Sequence, residues 1–373
     1  MPNIDKMVND INISIENISL PEIGLMGGQS GLMLYQSFLI QTGFKPSFKT
    51  YEIESFVNTI NTSLPYHTLA SGYAGLLYCS ETIEDLELDA ETKLALVTYS
   101  ENIGNIELRK NNFDYLHGYL GISFSLLNSK SAFALSCINQ LMKSKKYKNG
   151  SVYWTTNNIK GVIDGDLGLA HGAAGVLALL TKFYVKNFDK QNCLNLISEI
   201  IQMFRKSKMK GGNSIYGYKL NDPKSSRLAW CYGDLGIAIS MWLAGIACNR
   251  EDWKQEAVDI MLHAAKRRDL QKNGVVDAGI CHGTAGIAHI FNRFNRETQL
   301  DEFKGATDYW IDQTLKMAKF KDGLAGYKSW QGPEKGWKNE YGLLEGIAGI
   351  GLVLHSYLHP EIEPTWDRCL LLS

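Results

Sequence analysis

The chain has 373 residues, of which 45% are hydrophobic and 21% charged, and its formal net charge at pH 7 is −1. This composition is sufficient for a large buried core, and the near-neutral charge gives no reason to expect a nucleic-acid partner. Residues 1–9 lack the basic start and apolar core of a signal peptide, and no apolar run reaches the roughly 18 residues of a membrane span. We therefore expect a cytoplasmic protein that is not an integral membrane protein.

Seven cysteines are too few and too irregularly spaced for a secreted disulfide scaffold, so they fit a reducing compartment. Four lie among apolar neighbours in helical patterns and are expected in the core: Cys79, Cys137, Cys193 and Cys248. Cys231 and Cys281 differ because each directly precedes an apolar helical run.

A unit of the form apolar-x-Gly-x-x-Gly-apolar recurs along the chain, each time opening an apolar run. The seven copies begin at Met26, Ala70, Leu116, Ala170, Cys231, Cys281 and Leu344. The runs after the units are apolar on nearly all sides, whereas intervening segments such as 191–206 and 251–266 have one polar face. This pattern predicts an all-α fold, an α/α toroid of seven inner and seven outer helices, as a single domain over residues 1–373.

Taken in order, residues 1–23 are predicted to form an outer helix ending at a break at Pro21, 27–42 the first inner helix, and 49–82 the second pair. Three long connections, 146–167, 210–229 and 320–341, precede inner helices and should lie on the rim that carries the units, where a substrate would be held. The first includes a predicted short strand at 152–154. Aromatic residues in these connections are expected to line a peptide groove: Trp154, Tyr216, Tyr218, Trp330 and Trp337.

The residues just before each first glycine should be presented at this rim. There the sequence places Cys231, Cys281 and His282, and also His117, His171 and Glu345. Two thiols and one imidazole form a three-ligand set typical of catalytic zinc sites, in which the fourth position stays open. Buried cysteine as a small hydrophobe is the alternative for either thiol alone, but the repeated unit favours the metal site.

Four segments together resemble the lanthionine cyclases of the LanC family. They are Gly168–Gly172, Arg227 with Ala229–Gly233, Cys281–Gly283 and Trp366–Leu372. The resemblance implies an α/α toroid with zinc (Zn²⁺) on Cys231, Cys281 and His282. It also implies that a peptide cysteine thiol is added to dehydroalanine or dehydrobutyrine to close a thioether ring. The chain resembles the stand-alone cyclase, so the implied partners are a dehydrated precursor peptide, a separate dehydratase and an export transporter.

Carried over residue by residue, His171 and Asp114 match the family's acid/base positions, and Arg227 matches its active-site arginine. Attack of sulfur on the β-carbon builds an enolate, so Arg227 would stabilise its oxygen, His171 would protonate its α-carbon, and Asp114 would orient His171. Trp230 and Tyr232, which flank Cys231, are assigned to substrate binding.

Two other function classes stay open at this point. A LanC-like protein could keep zinc and bind a peptide or thiol without making rings; it would differ in whether Asp114, His171 and Arg227 converge on the metal. Glycoside-processing enzymes also use α/α toroids and need two carboxylates, for which Asp114, Asp164, Asp234 and Glu345 are available. That alternative leaves the two cysteines and His282 unexplained, and the zinc set of protein prenyltransferases does not lie in paired glycine units.

Overall fold

A computed structural model describes residues 4–16, 18–43, 68–83, 86, 88–129, 131–158 and 161–373. The helices in this part of the chain are α1 (Ile4–Ile15), α2 (Gln29–Gln41), α3 (Tyr73–Thr82), α4 (Ala90–Arg109), α5 (Tyr119–Ser125), α6 (Phe133–Ser144), α7 (Ala173–Val185), α8 (Lys190–Ser207), α9 (Asp234–Ala247), α10 (Glu251–Ala265), α11 (Thr284–Thr298), α12 (Asp301–Lys316) and α13 (Ile347–Leu358). A 3₁₀ helix, Thr365–Leu370, follows. Most of the fold is therefore helical, as predicted.

Inner and outer helices differ in burial, as the sequence pattern indicates. The seven inner helices are α2, α3, α5, α7, α9, α11 and α13, and each begins at the first glycine of a repeated unit or just after it. On α7, every residue from 173 to 181 is buried, whereas α8 buries one stripe that includes Cys193, Ile197, Ile200 and Phe204. Six outer helices lie among the described residues; the second outer helix, predicted in the first part of 49–82, lies outside them.

A ring of backbone hydrogen bonds joins the seven repeated units. The N–H of Met26 donates to the carbonyl of Ala70, Ala70 to Leu116, Tyr115 to Ala170, Ala170 to Cys231, Cys231 to Cys281, Cys281 to Leu344, and Leu344 back to Met26. The last bond, 2.9 Å from N to O, joins the seventh unit to the first. The toroid is therefore closed, and its rim residues lie on one ring.

The second glycine of the unit allows each inner helix to pack against the turn that precedes it. At Gly286, a Cβ atom would lie 1.9 Å from the carbonyl oxygen of Ile280, so any larger residue would force the turn away from the helix. The repeated glycines thus have a packing role, in addition to any role at the rim.

Three antiparallel hairpins occupy two of the long connections. β1 (Lys146–Lys148) pairs with β2 (Ser151–Tyr153), β3 (Thr155–Asn158) with β4 (Gly161–Asp164), and β5 (Ser329–Trp330) with β6 (Trp337–Lys338). The predicted strand at 152–154 is confirmed except at Trp154, which is buried and donates its indole N–H to the carbonyl of Leu141.

The C-terminal segment lies inside the ring of inner helices. Asp367 is fully buried and accepts hydrogen bonds from His289 and Arg293 of α11. The carbonyl groups of Cys369 and Leu370 accept from the side chains of Tyr115 and Trp230, 2.9 and 2.8 Å away. Among the described residues, no helix is both long and apolar enough to cross a membrane.

Candidate metal centre and acid/base site

The structure brings the three predicted zinc ligands together. One ligand atom each from Cys231, Cys281 and His282 lies within 4.8 Å of the others. The ring of backbone bonds explains this convergence, because the N–H of Cys231 donates to the carbonyl of Cys281, 3.3 Å away, and so aligns two neighbouring units. Cys231 is buried, whereas Cys281 and His282 are partly exposed, so the cluster opens toward the rim.

The environment of Cys231 favours its thiolate. A hydrogen bond with Cys281 lowers the pKa of the Cys231 thiol, burial opposes this, and the positive charges of Arg227 and His171 lower it further. The same hydrogen bond, with burial, raises the pKa of the Cys281 thiol, so of the two cysteines Cys231 loses its proton more readily, and a thiolate is the form that binds metals. The N–H of Ala170 donates to the carbonyl of Cys231, so the turn that carries His171 lies against the turn that carries Cys231.

His171 and Asp114 form a directly bonded pair. Nδ1 of His171 lies 2.6 Å from a carboxylate oxygen of Asp114. The other oxygen of Asp114 accepts from the backbone N–H groups of Leu116 and His117, both at 2.8 Å, so the carboxylate is held in place. Burial alone would lower the pKa of His171, but the bond and charge of Asp114 outweigh it and raise the pKa above its usual value.

Tyr232 follows Cys231 in the chain, and its ring lies beside that of His171. Its ring centroid is 6.0 Å from that of His171 and 5.4 Å from that of Tyr218. Its hydroxyl donates to a carboxylate oxygen of Asp166 at 2.9 Å, and burial raises the pKa of Asp166. Tyr232 is therefore fixed with a partly exposed ring at the rim, where the sequence predicts it.

Arg227 stands four residues before Cys231 and carries one unpaired donor within the described part of the chain. Its Nε atom is buried and has no hydrogen-bond partner among the residues that the structure describes. Burial would lower the pKa of Arg227, but a bond with Tyr218 and the charges of Cys231 and Cys281 raise it, so the side chain stays cationic. The guanidinium group as a whole is partly exposed, and a charged fork of N–H donors of this kind is suited to an oxyanion ligand.

Some residues predicted to meet a substrate lie elsewhere. Trp230 is fully buried and donates to the carbonyl of Leu370, so it belongs to the core and its assignment to substrate binding is wrong. Trp154 and Tyr216 are also buried, which removes them from the predicted groove. Tyr218 is partly exposed, as are Trp330 and Trp337, which pair across β5 and β6.

Two buried aspartates contribute to the site without having been predicted. Asp166 and Asp277 each stand six residues before the first glycine of their unit, and this recurrence is the signal that could have identified them. Each accepts a hydrogen bond from the N–H two residues later, that of Gly168 or Gly279. Asp277 also accepts from the N–H of Trp330 at 2.9 Å, which ties the β5–β6 hairpin to the Cys281 turn.

Two of the four carboxylates that a glycoside-processing enzyme could use are engaged in other contacts. Asp234 is fully buried in an ion pair with Arg267, and Asp114 holds His171.

The predicted core cysteines are buried with one exception, since Cys248 at the end of α9 is partly exposed.

Comparison with known proteins agrees with this geometry. Over 96% of its length the chain is 25% identical to the nisin biosynthesis protein NisC of Lactococcus lactis subsp. lactis, 90% of which is covered. A solved structure of a nisin cyclase superposes with a TM-score of 0.75 at 24% identity, covering 99% of this chain and 96% of that one, so the two share the toroid fold. The family described as lanthionine synthetase C-like protein matches residues 52–371. The chain belongs to the lanthionine synthetase C-like family.

Proposed function

We propose that this protein is a zinc-dependent lanthipeptide cyclase, acting as one toroidal domain. It adds cysteine thiols of a dehydrated precursor peptide to dehydroalanine or dehydrobutyrine, forming lanthionine and methyllanthionine rings. The observation that carries the proposal is that ligand atoms of Cys231, Cys281 and His282 converge at the rim, next to the unit that holds the bonded His171–Asp114 pair. Family membership and the names of the relatives support the same reaction.

The cluster fits a zinc ion on the chemistry of its donors. Two cysteine thiols and one imidazole lie close together at an open rim. Catalytic zinc sites use ligands of this kind, with three from the protein and the fourth coordination position left open. Zinc bound by Cys231, Cys281 and His282 would supply a positive charge that keeps a substrate thiol deprotonated at neutral pH.

The remaining chemistry belongs to the side chains. In the reaction a bond forms between the thiol sulfur and the β-carbon of the dehydro residue, and its C=C π electrons move toward the neighbouring carbonyl oxygen. Arg227, whose side chain is partly exposed, donates an N–H of its guanidinium group to that oxygen as negative charge develops. His171, held by Asp114, delivers a proton to the α-carbon. The proton that the thiol loses is balanced by the proton that the α-carbon gains, so ring closure leaves the peptide mass unchanged.

The proposal also fixes the partners by chemistry. The dehydro residues must be made before ring closure, so a dehydratase supplies the substrate; an exporter for the product is what the family resemblance implies. The partly exposed Tyr232, Trp330 and Trp337 provide aromatic surface at the rim for a flexible peptide. We place the reaction in the reducing cytoplasm, where the seven free cysteines remain thiols.

Variants that separate chemistry from binding test this function against the alternative of a zinc protein that only binds a peptide or thiol. His171→Asn and Arg227→Gln should retain zinc and bind a fluorescent dehydrated peptide nearly as the wild type does. Their single-turnover cyclisation should fall by roughly 10²-fold or more, the usual effect of a positioned acid/base group or oxyanion donor. Tight peptide binding by the wild type without any loss of peptide thiols would favour the binding protein.

A further inference from the structure

The backbone around Arg227 is fixed on both sides by one buried side chain. Arg267, at the end of α10, is only 5% exposed. Its NH2 donates to the carbonyl of Ser226 at 2.8 Å, and its Nε donates to the side-chain oxygen of Asn273 at 2.9 Å. The backbone carbonyl of Asn273 in turn accepts a hydrogen bond from the N–H of Leu228, 3.0 Å away. The residues immediately before and after Arg227 are therefore both linked to Arg267.

The third contact of Arg267 anchors this network to the metal-bearing unit. Its NH1 donates to Asp234 at 2.8 Å, and Asp234 is fully buried. Asp234 is also the first residue of α9, three residues after Cys231, and it accepts the N–H groups of Ile215 and Tyr216. The Asp234–Arg267 ion pair thus connects the loop of Arg227 to the helix that follows a zinc ligand.

The backbone of the fifth repeated unit, which begins at Cys231, is adapted to the loop that carries Arg227. Gly233 has φ +87°, in the left-handed region, whereas the glycines at the same position of the other six units have φ between −105° and −139°. A Cβ at Gly233 would lie 2.4 Å from Oγ of Ser226. The fifth unit therefore turns differently so that the segment carrying Arg227 can pack directly against it.

We propose that Arg267, paired with Asp234, is a positioning residue that holds the guanidinium of Arg227 at the reacting carbonyl. The ion pair lies outside the substrate groove and touches no reacting atom. It stabilises both peptide groups flanking Arg227. The planar guanidinium of Arg267 donates to three separate acceptors, which the ammonium group of a lysine cannot do in the same geometry. The inference rests on the proposed function of Arg227, and it assigns the buried pair a role in catalysis as well as in folding.

A double-mutant cycle distinguishes positioning from general support of the fold. Arg267→Lys in the otherwise wild-type protein should slow single-turnover cyclisation by roughly 10- to 100-fold, the effect of displacing a catalytic group by about 1 Å. In an Arg227→Gln background the same change should alter the rate by no more than about twofold, because the group it positions is already absent. Equal effects in both backgrounds would overturn the proposal.

Arg293→Lys is the matched control. Arg293 is also 5% exposed and also binds a fully buried aspartate, Asp367, but it touches no residue next to Arg227. Its effect on the rate should be the same factor in both backgrounds. If Arg267→Lys fails to fold, Asn273→Ala removes one link of the network at lower cost, and the same cycle is run with it.

A second readout does not depend on cyclisation. In protein labelled with ¹⁵N-arginine, the Nε signal of Arg227, assigned with Arg227→Gln, should shift and exchange faster in Arg267→Lys than in Arg293→Lys. A wild-type protein that makes no rings would contradict the proposed function. The Arg227 signal would still show whether Arg267 holds the Arg227 side chain in place. An unchanged Arg227 signal in a folded Arg267→Lys protein would overturn the inference.

Discussion

Asp114→Asn is expected to impair catalysis while leaving the local fold intact. One oxygen of Asp114 accepts from the N–H groups of Leu116 and His117, and asparagine retains an acceptor for both. The other oxygen, 2.6 Å from Nδ1 of His171, would be replaced by an amide NH₂. The substitution therefore removes the charge beside His171, and the amide presents a donor where the carboxylate accepted a bond.

The size of the effect follows from this contact. A hydrogen bond to a charged group contributes about 1.5–3 kcal/mol, and each 1.36 kcal/mol corresponds to a factor of about ten, so the rate should fall roughly 10- to 150-fold. His171→Asn should cost roughly 10²- to 10⁴-fold. Because the two residues act as a unit, the double variant should be little slower than His171→Asn alone.

The assay is single-turnover cyclisation of one dehydrated peptide across pH, with zinc content measured for each variant. Asp114 raises the pKa of His171, so Asp114→Asn should move the limb that reports on His171 to lower pH. Asp222→Asn is the control, since Asp222 makes the same bond to an N–H two residues on, that of Lys224. Two results would refute the reasoning. One is a rate loss in the Asp114/His171 double variant equal to the product of the two single losses; the other is wild-type activity in zinc-replete Asp114→Asn.

Three further predictions concern the metal, the core and the rim. Elemental analysis should find one zinc per chain and little in Cys281→Ala; equal zinc in both would contradict the assignment of Cys281. Asp367→Asn should lower the free energy of urea unfolding by as much as roughly 3–5 kcal/mol, because Arg293 would lose its buried carboxylate partner and keep only the more exposed Glu363. The half-exposed Asp308→Asn should cost less than about 1 kcal/mol. Arg293 and His289 outweigh burial and hold the pKa of Asp367 below its usual range. The contribution of Asp367 to stability is therefore present above the unfolded-state pKa and is lost as pH falls through the folded-state pKa. A difference in unfolding free energy between wild type and Asp367→Asn that does not change with pH would contradict this. Trp337→Ala should weaken peptide affinity measured by fluorescence anisotropy, and unchanged affinity would remove Trp337 from the groove.

The repeated glycine units were enough to predict the toroid and the metal cluster. Each unit is followed by an apolar helix, and a ring of such units must bring the residues before the glycines together. That reasoning places Cys231, Cys281 and His282 on one rim, because adjacent units are aligned by backbone bonds that any sequence can form. The pairing of Asp114 with His171 was implied by the family resemblance, and the structure brings the two side chains together from neighbouring units.

Side-chain direction was harder to predict. Trp230 is next to Cys231, yet it points into the core, because the carbonyl of Leu370 from the C-terminal segment provides its hydrogen-bond acceptor. Contacts between residues 140 positions apart leave no local pattern in the sequence. The same holds for the Asp234–Arg267 pair, whose partners lie at the ends of two adjacent helices and whose role depends on the loop between Tyr216 and Leu228.

Cyclisation of a dehydrated precursor peptide by the zinc-loaded wild-type protein tests the central claim most directly. The measurement counts free peptide thiols by alkylation and the intact peptide mass by mass spectrometry, with Cys281→Ala as the zinc-depleted control. The account predicts that wild-type protein removes thiols, one for each ring, with no change in mass, and that Cys281→Ala leaves them free. Thiols that remain fully alkylatable after incubation with folded, zinc-replete wild-type protein and a peptide that it binds would contradict it.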